Sequence, residues 1–201
     1  MRYSLQSQYY SDFITIEVNR LTPRSYFIPY PSREAQKDIS LTHKRYCSEM
    51  VQCLNGLWDF CFYADPKQLP LELDTDKVDF RKIDVPSCWQ YRGIADPMYL
   101  NVRYPFAYKP PVIPTTEPVG RYFSAMDGFK KAPASEMNYV GLYRTFFDVE
   151  DLSKAYEISF LGVCSCLELH VNGRFVGYSE ESHNTAEFDL SGTWALRGAD
   201  E

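Results

Sequence analysis

Four side chains that could ligate a metal occupy alternate positions of one short segment: Cys164, Cys166, Glu168 and His170. Alternate residues of an extended strand lie about 6.6 Å apart on one face. Two sulfurs that bind one zinc ion, each about 2.3 Å from it, lie no more than about 4.6 Å apart. A flat strand therefore cannot bring these side chains onto one ion, and the same divergence disfavours a disulfide between the two cysteines. We predict no metal site here.

A second candidate for chemistry is the acidic segment YSEESHNTAEFDL, which contains Glu180, Glu181, His183, Glu187 and Asp189. Two carboxylates can hydrolyse a glycosidic bond that they flank, and in retaining enzymes they lie about 5–5.5 Å apart. Neighbouring Glu180 and Glu181 would point to opposite faces of an extended chain. We interpret the segment as a solvated acidic loop in which Asp189 braces a turn. Because no G-x-S-x-G elbow, P-loop or G-x-G-x-x-G occurs either, we predict no catalytic residue in this chain.

The segment CSCLELHVNGRFVGYSEE predicts a β-hairpin around these candidate groups. Its alternation places Leu167, Leu169 and Val171 on one face. The pair Asn172-Gly173 suits both positive-φ positions of a type I′ turn. With a two-residue loop, Val176 would pair with Leu169 and Tyr178 would pair with Leu167, which makes that face apolar.

Other strands are predicted in LNGLWDFCFYAD, in FRKIDVPSCWQ around Ile83 and Val85, in GLYRTFFDVE and in AEFDLSG. FITIEV is a further short candidate near the N-terminus. Several short strands separated by turn signals, with few helical patterns, indicate an all-β antiparallel sandwich.

The predicted organisation is an extended N-terminal arm (1–50) followed by a sandwich domain (51–201). Proline-punctuated residues 21–34 favour an extended arm that packs on a larger body. Residues 121–139 break the strand rhythm and are predicted to be a long excursion between strands. The chain ends in a polar turn after its last strand, so we expect it to be truncated before the final strand or strands of the sandwich.

Composition excludes several classes of function. The 201 residues carry a net charge of −6, which argues against a nucleic-acid partner. No apolar run is long enough to span a membrane. The N-terminus lacks the apolar core of a secretory signal, so we expect a cytoplasmic protein, or a periplasmic one if a signal was removed. The 6 cysteines are expected to be reduced core residues.

Residues 97–111, PMYLNVRYPFAYKPP, combine prolines and aromatic rings around one amide, Asn101. Prolines remove backbone donors, so this stretch is predicted to be a rigid loop and not a central strand.

Several segments in this order resemble the N-terminal region of the large β-galactosidases of glycoside hydrolase family 2. They include LNGLWDF, the stretch VPSCWQYRGIADPMYLNVRYPF, PPVIPTTEPVGRY and FLGVCSCLELHVNGRFVGYSEES. The match runs over residues 18–197, apart from the insertion at 121–139. The resemblance implies a jelly-roll, galactose-binding-like first domain of a retaining glycosidase whose catalytic glutamates lie on a separate (β/α)8 barrel.

The same resemblance implies a substrate-binding role for Asn101, with Val102 matching the same loop. It also implies Mg²⁺ and Na⁺ for the complete enzyme, with no cofactor in this chain, a β-galactoside as substrate, and a homo-oligomeric parent. An isolated copy of this chain is expected to be inactive. Three alternatives remain open: the same domain of a β-glucuronidase or β-mannosidase, a stand-alone carbohydrate-binding module or lectin, and a purely structural interface domain.

Overall fold

The structure is a computed structural model that describes residues 1–6, 8–12, 14–37, 40, 42, 44–95 and 139–193. The predicted site residues Asn101 and Val102, the loop at 97–111 and almost all of the insertion at 121–139 lie outside these residues.

The described residues form mainly short strands, numbered in chain order: β1 (Arg2–Ser4), β2 (Glu17–Val18), β3 (Gly56–Tyr63), β4 (Glu72–Asp74), β5 (Arg81–Val85), β6 (Val140–Arg144), β7 (Glu157–Phe160), β8 (Leu167–Val171), β9 (Arg174–Ser179) and β10 (Ala186–Asp189). Helical structure in the same residues is limited to α1 (Arg33–Gln36), α2 (Lys44–Cys47) and short 3₁₀ turns. Each described strand pair is antiparallel. These findings confirm the predicted all-β antiparallel class.

The chain divides into two compact units. The first comprises Met1–Ser11 and Gly56–Phe146, and the second comprises Asp12–Asn55 and Phe147–Glu201. Residues from the predicted arm therefore occur in both units. The predicted boundary between an arm (1–50) and a sandwich (51–201) remains a prediction.

The first unit is built on the sheet β5-β3-β6, accompanied by the strand pair β1-β4. Along β3, alternate residues Trp58, Phe60 and Phe62 share one face, as the two-residue period of a strand requires. Phe60 is fully buried, and Ile83 of β5 lies opposite Trp58 and is buried too. The core of this unit is therefore largely aromatic.

The second unit contains the sheet β2-β9-β8 and the strand pair β10-β7. Its buried core consists of Leu169, Val171, Val176, Ala186, Phe188 and Leu190. A Cβ atom added to Gly177 of β9 would lie 2.5 Å from Cδ1 of Phe188 in β10. The two sheets of this unit therefore pack face to face through a ring that occupies the space above a glycine.

The β8–β9 hairpin is confirmed, but its predicted pairing is wrong beyond the turn. Asn172 and Gly173 have φ values of 51° and 83°, as a type I′ turn requires. A bulge between Leu169 and His170 then shifts the register, so that Leu169 pairs with Gly177 and not with Val176. Since Phe188 packs against Gly177, the bulge brings the one residue of β9 without a side chain under that ring.

The same shift pairs Leu167 with Ser179 and places Tyr178 opposite Glu168, so the predicted pairing of Tyr178 with Leu167 is also wrong.

Cysteines differ from the sequence prediction in their burial. All of them are free thiols, but five are exposed and Cys61 alone is half-buried. The five exposed cysteines lie in loops or in the short helix α2, outside the buried strand faces. Their prediction as core residues is therefore wrong.

Among the described residues, no helix has the length and apolar content needed to cross a membrane.

Candidate functional site

A group of aromatic side chains in the first unit, called the aromatic cluster below, consists of Trp58, Phe60, Phe62, Trp89, Tyr139 and Tyr143. The ring centroids of Phe60 and Tyr143 lie 4.8 Å apart, and those of Phe62 and Trp89 lie 5.5 Å apart in an edge-to-face arrangement. Phe62 also contacts Tyr139 at 5.1 Å. Spacings and tilts of this kind are the ones that aromatic pairs prefer.

Two of these rings are also joined by a hydrogen bond. The indole Nε1–H of Trp89 donates to the hydroxyl oxygen of Tyr143 over 2.5 Å. Burial raises the pKa of Tyr143, while the bond from Trp89 acts in the opposite sense. The phenol therefore stays neutral over the physiological range and remains a hydrogen-bond acceptor for the indole.

Gly141 of β6 provides the space for this indole. A Cβ atom at residue 141 would lie 2.5 Å from Cζ2 of Trp89 and 2.9 Å from ring atoms of Phe60 and Tyr143. Real Cβ atoms do not approach that closely, so residue 141 must be glycine for these rings to meet as they do.

Two members of the aromatic cluster, Trp89 and Tyr139, flank in sequence the stretch that contains the predicted site residues. Trp89 begins a short turn in which the Ile94 amide donates to the Trp89 carbonyl over 3.0 Å. Gly93 ends this turn with a φ of 66°, a left-handed conformation that suits glycine. After Ala95 the chain enters residues 96–138, outside the described part, and it returns at Tyr139 directly into the cluster.

Asp59 joins the three strands of this sheet on the opposite face. Its direct partners in the register are Lys82 on β5 and Arg144 on β6. Lys82 Nζ lies 2.7 Å from one carboxylate oxygen, and Arg144 donates from Nε and Nη2 to the other over 3.0 and 2.8 Å. Hydrogen bonds from Lys82 and then from Arg144 lower the pKa of Asp59. Asp59 is therefore a charged bridge across β3.

Two of the four side chains first considered as metal ligands contact each other, although they occupy alternate positions of the strand. Glu168 and His170 form a pair with 2.6 Å between Oε1 and Nε2. In the described part of the chain, no three His, Cys, Asp or Glu side chains are grouped as a metal site would need.

The acidic segment near the C-terminal end is only partly the solvated loop that was predicted. Asp189 accepts bonds from the Ser191 amide and hydroxyl, which confirms that it braces a turn. The exposed Glu180 accepts a hydrogen bond from the Tyr178 hydroxyl over 2.6 Å. Glu187, in contrast, is buried, so its assignment to a solvated loop is wrong.

Glu187 is the centre of an ion-pair network that sequence reasoning missed. Arg24 Nε lies 2.9 Å from Glu187 Oε2, and Arg24 Nη2 lies 3.0 Å from Glu157 Oε2. Ser159 donates to Glu187 over 2.8 Å. The Arg24 side chain also stacks on Phe27 at 4.3 Å. One guanidinium therefore contacts two carboxylates and holds this part of the N-terminal segment against β7 and β10.

Such a carboxylate pair raises the question of glycosidase chemistry. Catalysis needs one carboxyl group to supply a proton and the other to attack the sugar. Arg24 donates hydrogen bonds to both Glu157 and Glu187, so both carboxylates are bonded to one guanidinium. This arrangement suits a structural ion pair and not a catalytic one.

Comparison with known proteins gives the family. The model for the sugar binding domain of glycosyl hydrolases family 2 matches residues 51–198, well over half of the chain. The chain belongs to glycosyl hydrolase family 2. Within the family, the described sheets, the aromatic cluster and the Arg24 network belong to the sugar binding domain or to the segment that precedes it.

Three similar proteins are named β-galactosidase. The β-galactosidase of Actinobacillus pleuropneumoniae is 36% identical over 91% of this chain, which covers 16% of that protein. The β-galactosidase of Pseudoalteromonas haloplanktis is 33% identical over 89% of this chain and 15% of that protein. The β-galactosidase of Staphylococcus xylosus is 29% identical over 93% of this chain and 16% of that protein. The chain thus spans about one sixth of the length of these relatives.

Proposed function

We propose that this chain is the N-terminal domain of a β-galactosidase that hydrolyses terminal β-D-galactosides with retention of configuration. The observation that carries the proposal is the match over 91% of the chain to a protein named β-galactosidase, together with the family 2 domain that it contains. In such an enzyme the chemistry passes through a covalent glycosyl intermediate formed on one of two carboxylates. The proposal locates those carboxylates beyond residue 201.

In this proposal, Asn101 contacts the substrate, and Val102 belongs to the same loop. An amide suits the role because it both donates to and accepts from sugar hydroxyls without titrating. Support comes from the sequence resemblance and from the aromatic cluster, which contains residues on both sides of this stretch. Mg²⁺ and Na⁺ are proposed to act in the complete enzyme through residues outside this chain.

The first test concerns the chain by itself. We expect purified residues 1–201 to give no turnover of a chromogenic β-galactoside, because the proposal places both catalytic carboxylates outside this chain. A mock preparation from cells without the gene sets the background. Turnover by the purified chain above that background would refute the proposal that the catalytic carboxylates lie outside this chain.

The second test concerns Asn101 in the complete enzyme. Asn101→Ala is expected to lower kcat/KM by the equivalent of about 2 kcal/mol, the scale of removing one hydrogen bond from a desolvated site. Asn184→Ala serves as the matched control because Asn184 is an exposed loop residue. If Asn101→Ala and Asn184→Ala had the same kinetics, the proposed contact between Asn101 and the substrate would be wrong.

The sugar itself is tested with competing substrates. We expect the complete enzyme to prefer a β-galactoside over the β-glucuronide and the β-mannoside with the same leaving group. A preference for either of the other two would assign the chain to that branch of the family.

One observation favours a second function class, a carbohydrate-binding module. The Tyr91 ring is 93% exposed in the first unit, and exposed rings are what sugar faces stack on. Titration of the isolated chain with galactose, with Tyr91→Ala as the control variant, tests this function. Saturable binding that Tyr91→Ala abolishes would support it, and no binding would exclude it.

A further inference from the structure

Arg20 carries a positive charge that is almost completely buried, with a side chain that is 6% exposed. Its Nη1 donates to the Ser179 hydroxyl over 3.3 Å and lies 3.5 Å from a carboxylate oxygen of Glu17. Within the described part of the chain, the buried Nε–H group of Arg20 has no acceptor. Because a guanidinium stays charged at physiological pH, this burial leaves a charge with little compensation.

Arg24, in the same unit, is paired much more completely. Its side chain is 36% exposed, and its guanidinium lies 2.9 Å from a carboxylate oxygen of Glu187 and 3.0 Å from one of Glu157. Hydrogen bonds between a charged nitrogen and a carboxylate are normally about 2.7–2.9 Å long. Arg20 is therefore the more buried of the two arginines and has the longer contacts, which indicates that a partner of Arg20 lies outside the described residues.

The segment that carries Arg20 also presents apolar side chains to solvent. Ile14 and Ile16 are both exposed, and β2, which follows them, is an edge strand of the sheet β2-β9-β8. Glu17 contacts the buried guanidinium and is itself half-exposed, so a group that approaches this edge from solvent comes close to the charge. Apolar residues beside an arginine are typical of the centre of a protein interface.

We propose that residues 14–20 form a contact surface for the part of the polypeptide beyond residue 201, which supplies an acidic side chain to Arg20. This inference rests on the proposed function only in that the chain is one domain of a longer enzyme. The chain spans about one sixth of the similar β-galactosidases, so most of the surface that could pack on this edge belongs to the remainder. The carboxylate completes the pairing of the Arg20 guanidinium, as two carboxylates do for Arg24.

Hydrogen exchange of peptides that cover residues 14–24, measured by mass spectrometry, tests this surface in the isolated chain and in the complete enzyme. In the isolated chain, Arg20→Met is expected to change the exchange rate by less than about twofold, because an apolar side chain replaces a poorly compensated charge. In the complete enzyme, the same substitution should speed exchange by about tenfold or more, because it leaves an acidic partner buried and unpaired.

Arg24→Met is the matched control. Both carboxylates that pair with Arg24 lie within this chain, so its effect on exchange should agree within about twofold between the isolated chain and the complete enzyme. If Arg20→Met also had equal effects in the two proteins, the partners of Arg20 would lie inside this chain and the proposal would be overturned.

A second variant identifies the partner without depending on stability. Arg20→Lys keeps the charge and provides an amine that a carbodiimide can join to a neighbouring carboxylate. In the complete enzyme, we expect mass spectrometry to find residue 20 joined to an Asp or Glu beyond residue 201. Arg24→Lys is the control, with cross-links expected to Glu157 or Glu187.

Two outcomes of the cross-linking would overturn the proposal. One is that residue 20 is joined only to carboxylates within this chain, and the other is that residue 20 forms no cross-link while residue 24 does. Neither measurement uses turnover of a galactoside, so a failure of this contact surface is distinguishable from a failure of the proposed function.

Discussion

Each compact unit has a glycine that lies under an aromatic ring, and the two rings are held differently. In the second unit, a Cβ at Gly177 would meet the Phe188 ring and, at 2.7 Å, the carbonyl oxygen of Val18. In the first unit, the atoms nearest to a Cβ at Gly141 all belong to side chains, and one of them is the hydrogen-bonded indole of Trp89. A glycine therefore makes room for a buried ring in the core of the second unit and for a hydrogen-bonded indole in the first.

The ion pairs of the two units differ in how far their carboxylates are exposed to solvent. The Glu187 side chain is 7% exposed and is paired with Arg24, whereas the Asp59 side chain is 14% exposed and is shared between Arg144 and the exposed Lys82. A charge removed from water depends on its partner far more than one that water still solvates. We therefore expect the stability of the second unit to depend on its packed core and its buried charge. We expect the stability of the first unit to depend on ion pairs that lie nearer the solvent.

The largest expected effect is on the core of the second unit. Leu190→Ala should lower the free energy of unfolding by about 3 kcal/mol, because truncating the side chain leaves a cavity. Leu190 is 3% exposed, whereas Leu152 in the same unit is 65% exposed. Denaturant unfolding measures both variants. The control, Leu152→Ala, should change the free energy of unfolding by less than about 0.5 kcal/mol. Equal effects from the two leucines would contradict the assignment of the core.

Gly177→Ala is expected to cost about 2 kcal/mol of unfolding free energy, since the added methyl meets both a buried ring and a backbone carbonyl. Gly192→Ala is the matched control because no heavy atom lies within 4 Å of the position that its Cβ would take. The same denaturant titration measures both. A tolerated alanine at residue 177 would mean that the bulge in β9 does not serve to accommodate Phe188.

The buried ion pair gives the next effect. Arg24→Met should lower the free energy of unfolding by about 1.5 kcal/mol, because Glu187 would keep its burial and lose its counter-charge. Lys82→Met removes one partner of Asp59, which retains Arg144 and lies nearer the solvent. We expect less than about 0.5 kcal/mol for that change. If Lys82→Met proved the more damaging of the two, the contrast between the units would be reversed.

The smallest effect is a dependence on pH. The pKa of Asp59 is lowered in the folded chain, first by its bond to Lys82 and then by its bond to Arg144. A lowered pKa stabilises the fold above the unfolded value of about 4, and that contribution is lost as pH falls through the folded value. Asp59→Asn should therefore cost about 1 kcal/mol at neutral pH and nothing at the acid end. The measurement is the free energy of unfolding as a function of pH, for the unchanged chain and for Asp59→Asn. If the two curves stayed parallel between neutral and acidic pH, the ionisation of Asp59 would not be linked to stability.

Sequence reasoning succeeded where a structure depends on neighbouring residues. The strands at Gly56–Tyr63, Arg81–Val85, Val140–Arg144 and Ala186–Asp189 lie within or next to the predicted segments. The turn at Asn172-Gly173 also has the predicted positive φ values. Side-chain alternation and tolerance of positive φ belong to the residues themselves, so they can be identified without a fold.

The aromatic cluster could have been anticipated only in part. The rings of Trp58, Phe60 and Phe62 share a face by the two-residue period of β3. Nothing local indicates that Trp89 and Tyr143 meet, because their bond joins residues 54 positions apart. The substrate role of Asn101 came from resemblance to a family, and it remains a proposal.

What the sequence by itself determined is the antiparallel all-β class, the β8–β9 hairpin and the family. Tertiary structure alone decided the register beyond the bulge, the burial of Glu187 and its pairing with Arg24 across 163 positions. The reason is physical. Backbone preferences act between adjacent residues, whereas a bulge or a buried charge is stable only when a distant ring or counter-charge is already in place.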